Sequence, residues 1–382
     1  MTGLAVGAQT TGEEALDALR SRLWIVGWWL AGRLVVFGAA AAVHAFGPHG
    51  YLARSTRMHV LGVLGSWDGI WYQRIASDGY LLIPGRQSDP AFFPLYPLLL
   101  RLVHEAFALG YQAAGVVVSN VAFLVALVAF EALTRTLFDG ELARRATIYL
   151  AIFPFGYVFS MVYPESFVLA MIALAALAAT RGRWGLASVC AAAAALARPE
   201  GLFVALPVLM IAWKQRRELT PLARGCAMGA VVAPVAALAS FPLYLGGVLG
   251  DPLAWNHAER AWGRRFSPLG FVRTFEHLPH TFATHGWVVR DVCACAAYVV
   301  LLVAARRAGT SGAWLLGGAA VIGVPLFSGS FDSIGRFGLL APPVFWGLAW
   351  IGQRGAKLDY AVRAASIVLL VGAMATVPYI FP

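Results

Sequence analysis

The sequence predicts an all-α membrane protein, a polytopic bundle of about 11 transmembrane helices with two long extracytoplasmic loops. Hydrophobic residues make up 60% of the 382 positions and charged residues only 13%, whereas soluble domains carry about 25% charged residues. Mean hydropathy is +0.71, and many apolar runs approach the roughly 20 residues that cross a bilayer. Such a chain cannot cover a water-facing surface, so one membrane domain is expected over residues 1–382.

The apolar runs are interpreted as spans separated by charged or Pro- and Gly-rich segments. Residues 184–213 also fit two half-length helices, because Pro199 and Gly201 would stop a helix between them. The predicted spans cover residues 23–46, 112–134, 142–159, 165–180, 184–197, 200–213, 222–245, 287–305, 312–328, 337–352 and 362–380.

Basic residues are concentrated in every second loop between these spans. With the N-terminus inside, the short outer loops hold only Arg198 and Arg336, and cytoplasmic loops are the ones that carry excess Lys and Arg. We therefore predict a cytoplasmic N-terminal tail over residues 1–22 and an extracytoplasmic C-terminus. The net charge of +10 follows from this bias, so nucleic-acid binding is not expected.

The two long outer loops cover residues 47–111 and 246–286 and are rich in aromatic, acidic, His and Arg residues. Loops of this length carry function more often than they merely connect helices. In the first loop, Trp67, Trp71 and Ile75 follow each other at helical spacing. They predict an amphipathic helix that lies on the membrane surface, with its aromatic residues at headgroup level.

Three acidic residues at outer turns are candidates for chemistry. Asp68 begins the predicted amphipathic helix, where it either caps the free N–H groups or acts as a general base toward a hydroxyl. Glu165 and Glu200 each follow a proline. They either stabilise a helix N-terminus, or contact a substrate, or pair with an arginine such as Arg198.

The first outer loop resembles the first luminal loop of the PIG-V-like mannosyltransferases. This family belongs to the GT-C class of multi-spanning glycosyltransferases, and it includes the enzyme that adds the second mannose of the GPI anchor. The matching positions are Trp67-Asp68, Tyr72, Ile75-Ala76, Gly79-Tyr80 and Ala91 to Pro97. Shorter similarities occur at Gly250 to Trp255, Trp262-Gly263, Ser330 to Phe337 and Pro342-Pro343.

The resemblance implies a GT-C-like fold and an inverting transfer of mannose from a polyprenyl-phosphate donor to an acceptor hydroxyl on the extracytoplasmic face. It implies Asp68 as the catalytic base, and we hypothesise that Trp67, Tyr72 and Phe93 form substrate-binding walls of the site. Many GT-C enzymes carry a pair of acidic residues at this place, whereas Asp68 is followed by Gly69. No cofactor is therefore expected, although a divalent metal is left open, and no metal ligand is assigned.

Arginine suits the leaving phosphate because its guanidinium can bind two oxygens. Arg336 is favoured for this role because it lies between two predicted spans on the outer face, with an interface anchor as the alternative. Arg264 in the second loop is interpreted as solvated. Arg33 falls inside the first span, where a charge is costly. It would bind the phosphate, pair with a carboxylate in the bundle, or snorkel along the helix.

Other functions remain open from the residues alone. The enzyme could use another polyprenyl-phosphate sugar, and the acceptor could be a glycan, a lipid or a protein. A lipid or sugar transporter is supported by Arg33 but opposed by the long aromatic loops and the absence of an internal repeat. A non-catalytic subunit of a glycan-assembly complex is the third class. The Arg-, Ala- and Gly-rich composition suits a GC-rich bacterium, so a bacterial plasma membrane is expected.

Overall fold

The structure is a computed structural model that describes residues 22–46, 60–284 and 286–380. Within these ranges every element of secondary structure is helical. The predicted cytoplasmic tail, apart from Arg22, lies outside the described residues, and so do residues 47–59 of the first predicted loop. The chain is therefore an all-α protein, as predicted.

The α-helices follow one another with short connections. In chain order they are α1 (Leu23–Phe46), α2 (Val60–Leu64), α3 (Asp68–Asp78), α4 (Leu95–Phe107), α5 (Tyr111–Leu137), α6 (Gly140–Ala151), α7 (Glu165–Thr180), α8 (Trp184–Ala197), α9 (Ala205–Gln215), α10 (Pro221–Leu249), α11 (Ala254–Ala261), α12 (Gly270–Glu276), α13 (Leu278–Thr284), α14 (Val288–Arg307), α15 (Gly312–Phe327), α16 (Ile334–Phe337), α17 (Pro342–Gly352) and α18 (Ala356–Thr376). Short 3-10 helices occupy Asp89–Ala91, Gly156–Ser160, Pro199–Val204 and Gly338–Leu340.

Five helices, α1, α5, α10, α14 and α18, are long and apolar enough to cross a membrane. A sixth span would be formed by Ile334–Leu340 together with α17, although this pair is bent by 86°. Helices α7, α8 and α15 are apolar but shorter. The chain is thus an integral membrane protein, but the count of eleven spans is not confirmed. The run predicted at 142–159, for example, is α-helical only as far as Ala151, because Pro154 follows it closely.

Both predicted outer loops contain helices rather than irregular chain. The described part of the first contains α2, α3 and α4, and the second contains α11, α12 and α13. In α3 the buried face is formed by Gly69, Tyr72, Ile75 and Ala76, and the helix packs against α4 and α5. Of the predicted apolar stripe, Ile75 belongs to this buried face, whereas Trp67 and Trp71 are only half-buried. The face that packs on the protein is therefore rotated around the helix axis relative to the predicted stripe.

Helix α7 lies at the centre of the bundle and packs against α5 and α8. Most of its residues are buried, and many of them are alanine. Small side chains allow neighbouring helices in a membrane to approach closely. The N-terminal residue of this central helix is Glu165, whose side chain is completely buried. The bundle core therefore brings a carboxylate directly beneath the predicted outer loops.

Two breaks in the helices place charged residues near Glu165. The first separates α8 from α9 at Arg198 and Pro199, as the proline predicted. Gly201 allows this segment to fold back on α8, because a Cβ atom there would lie 2.2 Å from the Ala194 carbonyl carbon. The second is the 86° bend, where Pro342 starts a new helix after the short helix that carries Arg336.

The close contact of α17 with α14 can be tested at Gly347. A Cβ atom at this position would lie 2.0 Å from the Leu301 carbonyl oxygen, and this oxygen belongs to the backbone and cannot rotate away. We expect Gly347→Ala to lower the free energy of unfolding by about 1–3 kcal/mol. The thermal unfolding midpoint in detergent measures this loss.

Gly225→Ala is the matched control. Gly225 lies in α10 with no atom within 4 Å of the position a Cβ would take, so the substitution should leave the midpoint unchanged or raise it slightly. Equal midpoints for the two variants would contradict the packing of α17 on α14.

Candidate functional site

A polar cavity of about 70 Å³ lies beside the N-terminus of α3. Five separate parts of the chain meet there: the start of α3, the segment after the 3-10 helix Asp89–Ala91, the break between α8 and α9, the end of α11 with the loop that follows, and α16. The lining residues are Asp68, Tyr72, Ala91, Phe92, Phe93, Ala197, Arg198, Pro199, Glu200, Glu259, Trp262, Arg264 and Arg336.

Asp68 and Arg336 meet in this cavity although 268 positions separate them. Arg336 Nη1 donates a hydrogen bond of 2.6 Å to Asp68 Oδ2. The Asp68 side chain is 19% exposed and that of Arg336 is 6% exposed, so the carboxylate is the more accessible partner. A charge-assisted bond of this length is among the stronger hydrogen bonds in proteins.

The backbone around Asp68 is held in an unusual conformation. Trp67 has a φ of 56°, a strained value for a bulky residue. Its indole Nε1 donates to the Val377 carbonyl oxygen at 2.7 Å, and the Asp68 amide donates to the Tyr163 hydroxyl at 3.1 Å. Asp68 is the first residue of α3, where a carboxylate interacts favourably with the helix dipole. Its Oδ2 also accepts the hydrogen bond from Arg336, so the position fits both roles that the sequence left open for it.

Glu165 joins this ion pair to a second arginine. Arg336 Nη1 lies 3.8 Å from Glu165 Oε1, and Arg198 Nη1 donates to the same oxygen. Arg198 Nε in turn donates to Glu200 Oε2 at 2.8 Å. We call these five residues, Asp68, Arg336, Glu165, Arg198 and Glu200, the charged chain. Its two glutamates pair with arginine, one of the alternatives that the sequence left open.

The charged chain is not fully satisfied within the described residues. Glu165 Oε2 and Arg336 Nε are buried without a hydrogen-bond partner there. Each guanidinium also lies over a ring: Arg336 is 5.3 Å from the Tyr163 ring centroid and Arg198 is 4.8 Å from that of Phe337. Buried polar groups in native proteins are almost always paired. Unused donor and acceptor capacity at a cavity is therefore typical of a site that binds a polar ligand.

The second outer loop contributes a further carboxylate that the sequence alone did not single out. Glu259 on α11 lines the cavity together with Trp262 and Arg264. Burial raises the pKa of the Glu259 carboxyl above its usual range, and the positive charge of Arg264 partly opposes that rise. Arg264 is thus a cavity residue rather than part of a solvated face. Glu259 reaches the cavity because it lies on α11, and Trp262 and Arg264 reach it because they lie in the turn that follows this helix.

Aromatic residues close one side of the cavity. The Trp262 ring lies 5.6 Å from that of Trp71 and 5.9 Å from that of Phe92. Tyr72 packs edge to face on Phe92 at 5.1 Å. Phe93 lines the cavity and packs on Phe241 of α10 at 4.6 Å. These contacts join α3 and the second outer loop into one wall.

Two residues predicted from the sequence lie away from the cavity. Trp67 is adjacent to Asp68 but is absent from the lining, with its indole bonded to Val377. Arg33 is buried in α1, where it donates to Ser160 Oγ at 2.7 Å and to the Gly156 carbonyl oxygen at 3.2 Å. Of the other predicted residues, six line the cavity: Asp68, Tyr72, Phe93, Arg198, Glu200 and Arg336. Glu165 does not line it but contacts two lining residues, Arg198 and Arg336.

A metal site is not formed by the residues that the structure describes. Within them, no group of three or more His, Cys, Asp or Glu side chains is arranged to hold a metal ion. The carboxylates of the charged chain are instead compensated by arginine. The arrangement can remove a proton at Asp68 and can offer guanidinium donors to an anion, which are the two requirements of group transfer from a phosphate ester.

Comparison with known proteins finds a family similarity over part of the chain. Residues 45–217 match the model of the family described as Mannosyltransferase (PIG-V). This segment is PIG-V-like. It includes Asp68, Glu165, Arg198 and Glu200. Arg336 lies beyond its end, so the PIG-V-like segment carries three of the carboxylates but only one arginine of the charged chain. No curated protein matches the chain in sequence.

The fold is that of the GT-C glycosyltransferases. ArnT from Cupriavidus metallidurans bound to undecaprenyl phosphate matches with a TM-score of 0.51 and 16% identity, over 90% of this chain and 62% of that chain. The Archaeoglobus fulgidus oligosaccharyltransferase in the apo form also matches with a TM-score of 0.51 and 14% identity, over 91% of this chain and 56% of that chain. The chain therefore spans about three fifths of the length of these solved structures.

The charged chain predicts a large cost for removing its central carboxylate. Glu165→Gln would leave the buried Arg336 and Arg198 without their shared charge. Breaking a buried ion pair in this way costs about 3–5 kcal/mol. We therefore expect a clear drop in the thermal unfolding midpoint in detergent.

Glu105→Gln provides the comparison. Glu105 also pairs with an arginine, Arg101, but both side chains are more than half exposed, so no measurable change is expected. A Glu165→Gln protein as stable as the Glu105→Gln protein would show that the charged chain does not hold the bundle together.

Proposed function

We propose that the protein transfers mannose from polyprenyl-phosphate mannose to an acceptor hydroxyl, with inversion at the anomeric carbon. The observation that carries this proposal is the ion pair of Asp68 and Arg336 in the polar cavity. It sets a candidate base beside a candidate phosphate ligand. The mannose assignment is supported by the family match, and the polyprenyl carrier by the undecaprenyl phosphate in the ArnT structure of the same fold.

The chemical step begins when Asp68 accepts the proton of the acceptor hydroxyl. The acceptor oxygen then attacks the anomeric carbon from the face opposite the phosphate. The bond between that carbon and the phosphate oxygen breaks, and its electron pair leaves with the polyprenyl phosphate. Arg336 and Arg198 stabilise the negative charge that grows on the leaving phosphate. No acid is needed, because the phosphate is a good leaving group.

The ion pair supports an order in which the donor binds before the base acts. With all side chains ionised, the charged chain has three carboxylates and two guanidiniums, an excess of one negative charge. A guanidinium that turns from a carboxylate to the phosphate would offer it both of its terminal nitrogens, in addition to the unpaired Arg336 Nε. Arg336 is the arginine whose carboxylate partner is the more exposed. Its transfer to the phosphate would release Asp68 for the acceptor.

The lipid part of the donor requires an apolar groove next to the cavity. A cavity of about 340 Å³ lies between α3, α4, α8 and α10. It adjoins the polar site along the chain, because Pro94 and Leu196 line it while Phe93 and Ala197 line the polar cavity. We propose that the first isoprene units bind there. The charge bias of the loops supports a cytoplasmic N-terminus and an extracytoplasmic cavity, and the Arg-, Ala- and Gly-rich composition supports a bacterial plasma membrane.

The proposal is tested with the purified full chain in liposomes that contain radiolabelled polyprenyl-phosphate mannose. Label should leave the lipid only when a membrane extract supplies the acceptor. Polyprenyl-phosphate glucose or arabinose should support little transfer. Transfer of another sugar instead would overturn the mannose assignment, and no transfer from any polyprenyl donor would overturn the enzyme class.

Asp68→Asn should abolish most of the transfer. Loss of a general base typically lowers turnover by a factor of about 10²–10⁴, and the asparagine cannot accept the proton. The rate of label transfer measures the effect, and the thermal midpoint shows whether the variant folds. Asp78→Asn is the control at the exposed end of the same helix. Full activity of a folded Asp68→Asn protein would exclude Asp68 as the base.

Glu259 is proposed to bind a hydroxyl of the acceptor, because it lines the cavity and is not a member of the charged chain. Glu259→Gln should weaken apparent acceptor binding by roughly tenfold or more, the value of a hydrogen bond to a charged group. The amount of extract that gives half-maximal transfer measures this change. Glu276→Gln, at an exposed position of the same loop, should behave like the wild type.

The raised pKa of Glu259 gives the same contact a pH signature. The Glu259 carboxyl becomes protonated as the pH falls through this raised pKa. Apparent acceptor binding should therefore weaken as the pH is lowered. The Glu259→Gln variant should lack this dependence. An identical pH profile in the variant would contradict the role of Glu259.

A further inference from the structure

The residue immediately before Arg336, Gly335, is held at both its amide and its carbonyl group by side chains of one helix. The Gly335 amide donates to Asp291 Oδ1 at 3.3 Å, and the Gly335 carbonyl oxygen accepts from the Tyr298 hydroxyl at 2.5 Å. Asp291 is 0% exposed and Tyr298 is 1% exposed. Both residues lie on α14, whereas none of the residues that line the polar cavity belongs to that helix.

These side chains replace bonds that the backbone does not make. Helix α16 has only four residues, Ile334–Phe337, and Ser333 before it has a φ of 66°. The first N–H groups of a helix have no partner within it. The amides of Arg336 and Phe337 both bond to the Ser333 carbonyl oxygen, and Asp291 supplies the acceptor for Gly335. Helix α16 is too short to fix its orientation through its own backbone hydrogen bonds, and side chains of α14 fix it instead.

Close packing leaves this segment little freedom to shift. A Cβ atom at Gly335 would lie 2.2 Å from the ring of Phe155, and one at Gly338 would lie 2.1 Å from the ring of Tyr298. Arg290 Nη2 lies 3.2 Å from Asp291 Oδ2 and its guanidinium is 5.8 Å from the Phe155 ring centroid. The Asp291 carboxylate that accepts from Gly335 is therefore itself fixed in place by the Arg290 guanidinium.

We propose that Asp291 and Tyr298 are positioning residues that aim the Arg336 guanidinium at the donor phosphate. This inference rests on the function proposed above. A fixed Gly335 peptide sets the Cα position and direction of Arg336, so that only its side chain moves when it exchanges Asp68 for phosphate. Neither residue of α14 touches the substrate, so their effect on binding passes through Arg336.

The test measures binding of undecaprenyl phosphate, without any sugar, to the purified full chain. Tyr298→Phe removes only the hydroxyl that bonds to Gly335. We expect it to raise the Kd for undecaprenyl phosphate about three- to tenfold, the worth of one such hydrogen bond. Asp291→Asn should act in the same direction. Tyr157→Phe is the matched control, because the Tyr157 hydroxyl is buried without a hydrogen-bond partner among the described residues.

A double-mutant cycle separates positioning from simple stabilisation. If Tyr298 acts through Arg336, Tyr298→Phe should have no further effect on the Kd once Arg336→Gln is present. Any loss of thermal stability should persist in both backgrounds. An equal loss of binding in the two backgrounds, or wild-type binding by Tyr298→Phe, would overturn the positioning role alone. A wild-type protein that binds no polyprenyl phosphate would overturn the proposed function as well.

Discussion

The alternation of charge from Asp68 through Arg336, Glu165 and Arg198 to Glu200 is the constraint on which the rest of the structure depends. A buried charge is tolerated only when it is paired and hydrogen-bonded, and each member here compensates its neighbour. The members come from α3, α16, α7 and the break between α8 and α9. The helices must therefore end where these residues lie. The break between α8 and α9, the 86° bend before α17 and the strained backbone of Trp67 all lie where the five charged side chains come together.

This arrangement also limits the chemistry that the cavity can perform. Arginines already neutralised by carboxylates do not attract anions strongly in the resting protein, so an anionic ligand competes with an existing partner. Within the charged chain, the pair of Arg336 and Asp68 is the most exposed, whereas Arg198 is held between two carboxylates that are almost fully buried. Exchange is therefore easiest at Arg336. The same event would change the state of the candidate base, and this couples phosphate binding to proton removal.

The helical character, the two functional loops and the break at Pro199 could be predicted from local patterns, because proline and hydropathy act over a few residues. Asp68 and Arg336 were found by their places at outer turns, and the resemblance in the first loop gave Asp68 its role. The role of Arg33 could not be chosen from the sequence. An intramembrane charge draws attention, but the sequence does not show that its guanidinium donates to Ser160 and to the Gly156 carbonyl oxygen. Glu259 could not be singled out, and Arg264 was interpreted as solvated, since no local signal shows that their loop folds over α3.

The division of the site between the PIG-V-like segment and the remainder of the chain follows from this long-range assembly. Residues 45–217 contain the candidate base and both buried glutamates, which any GT-C reaction with a phosphate-linked sugar could use. Glu259, Trp262 and Arg264 lie outside that segment and form the facing wall of the cavity. Under the proposed function, the second outer loop would contact the acceptor, and the charged chain would carry out proton removal and phosphate binding. The acceptor is then to be sought in the chemistry of the second outer loop, and the reaction type in that of the charged chain.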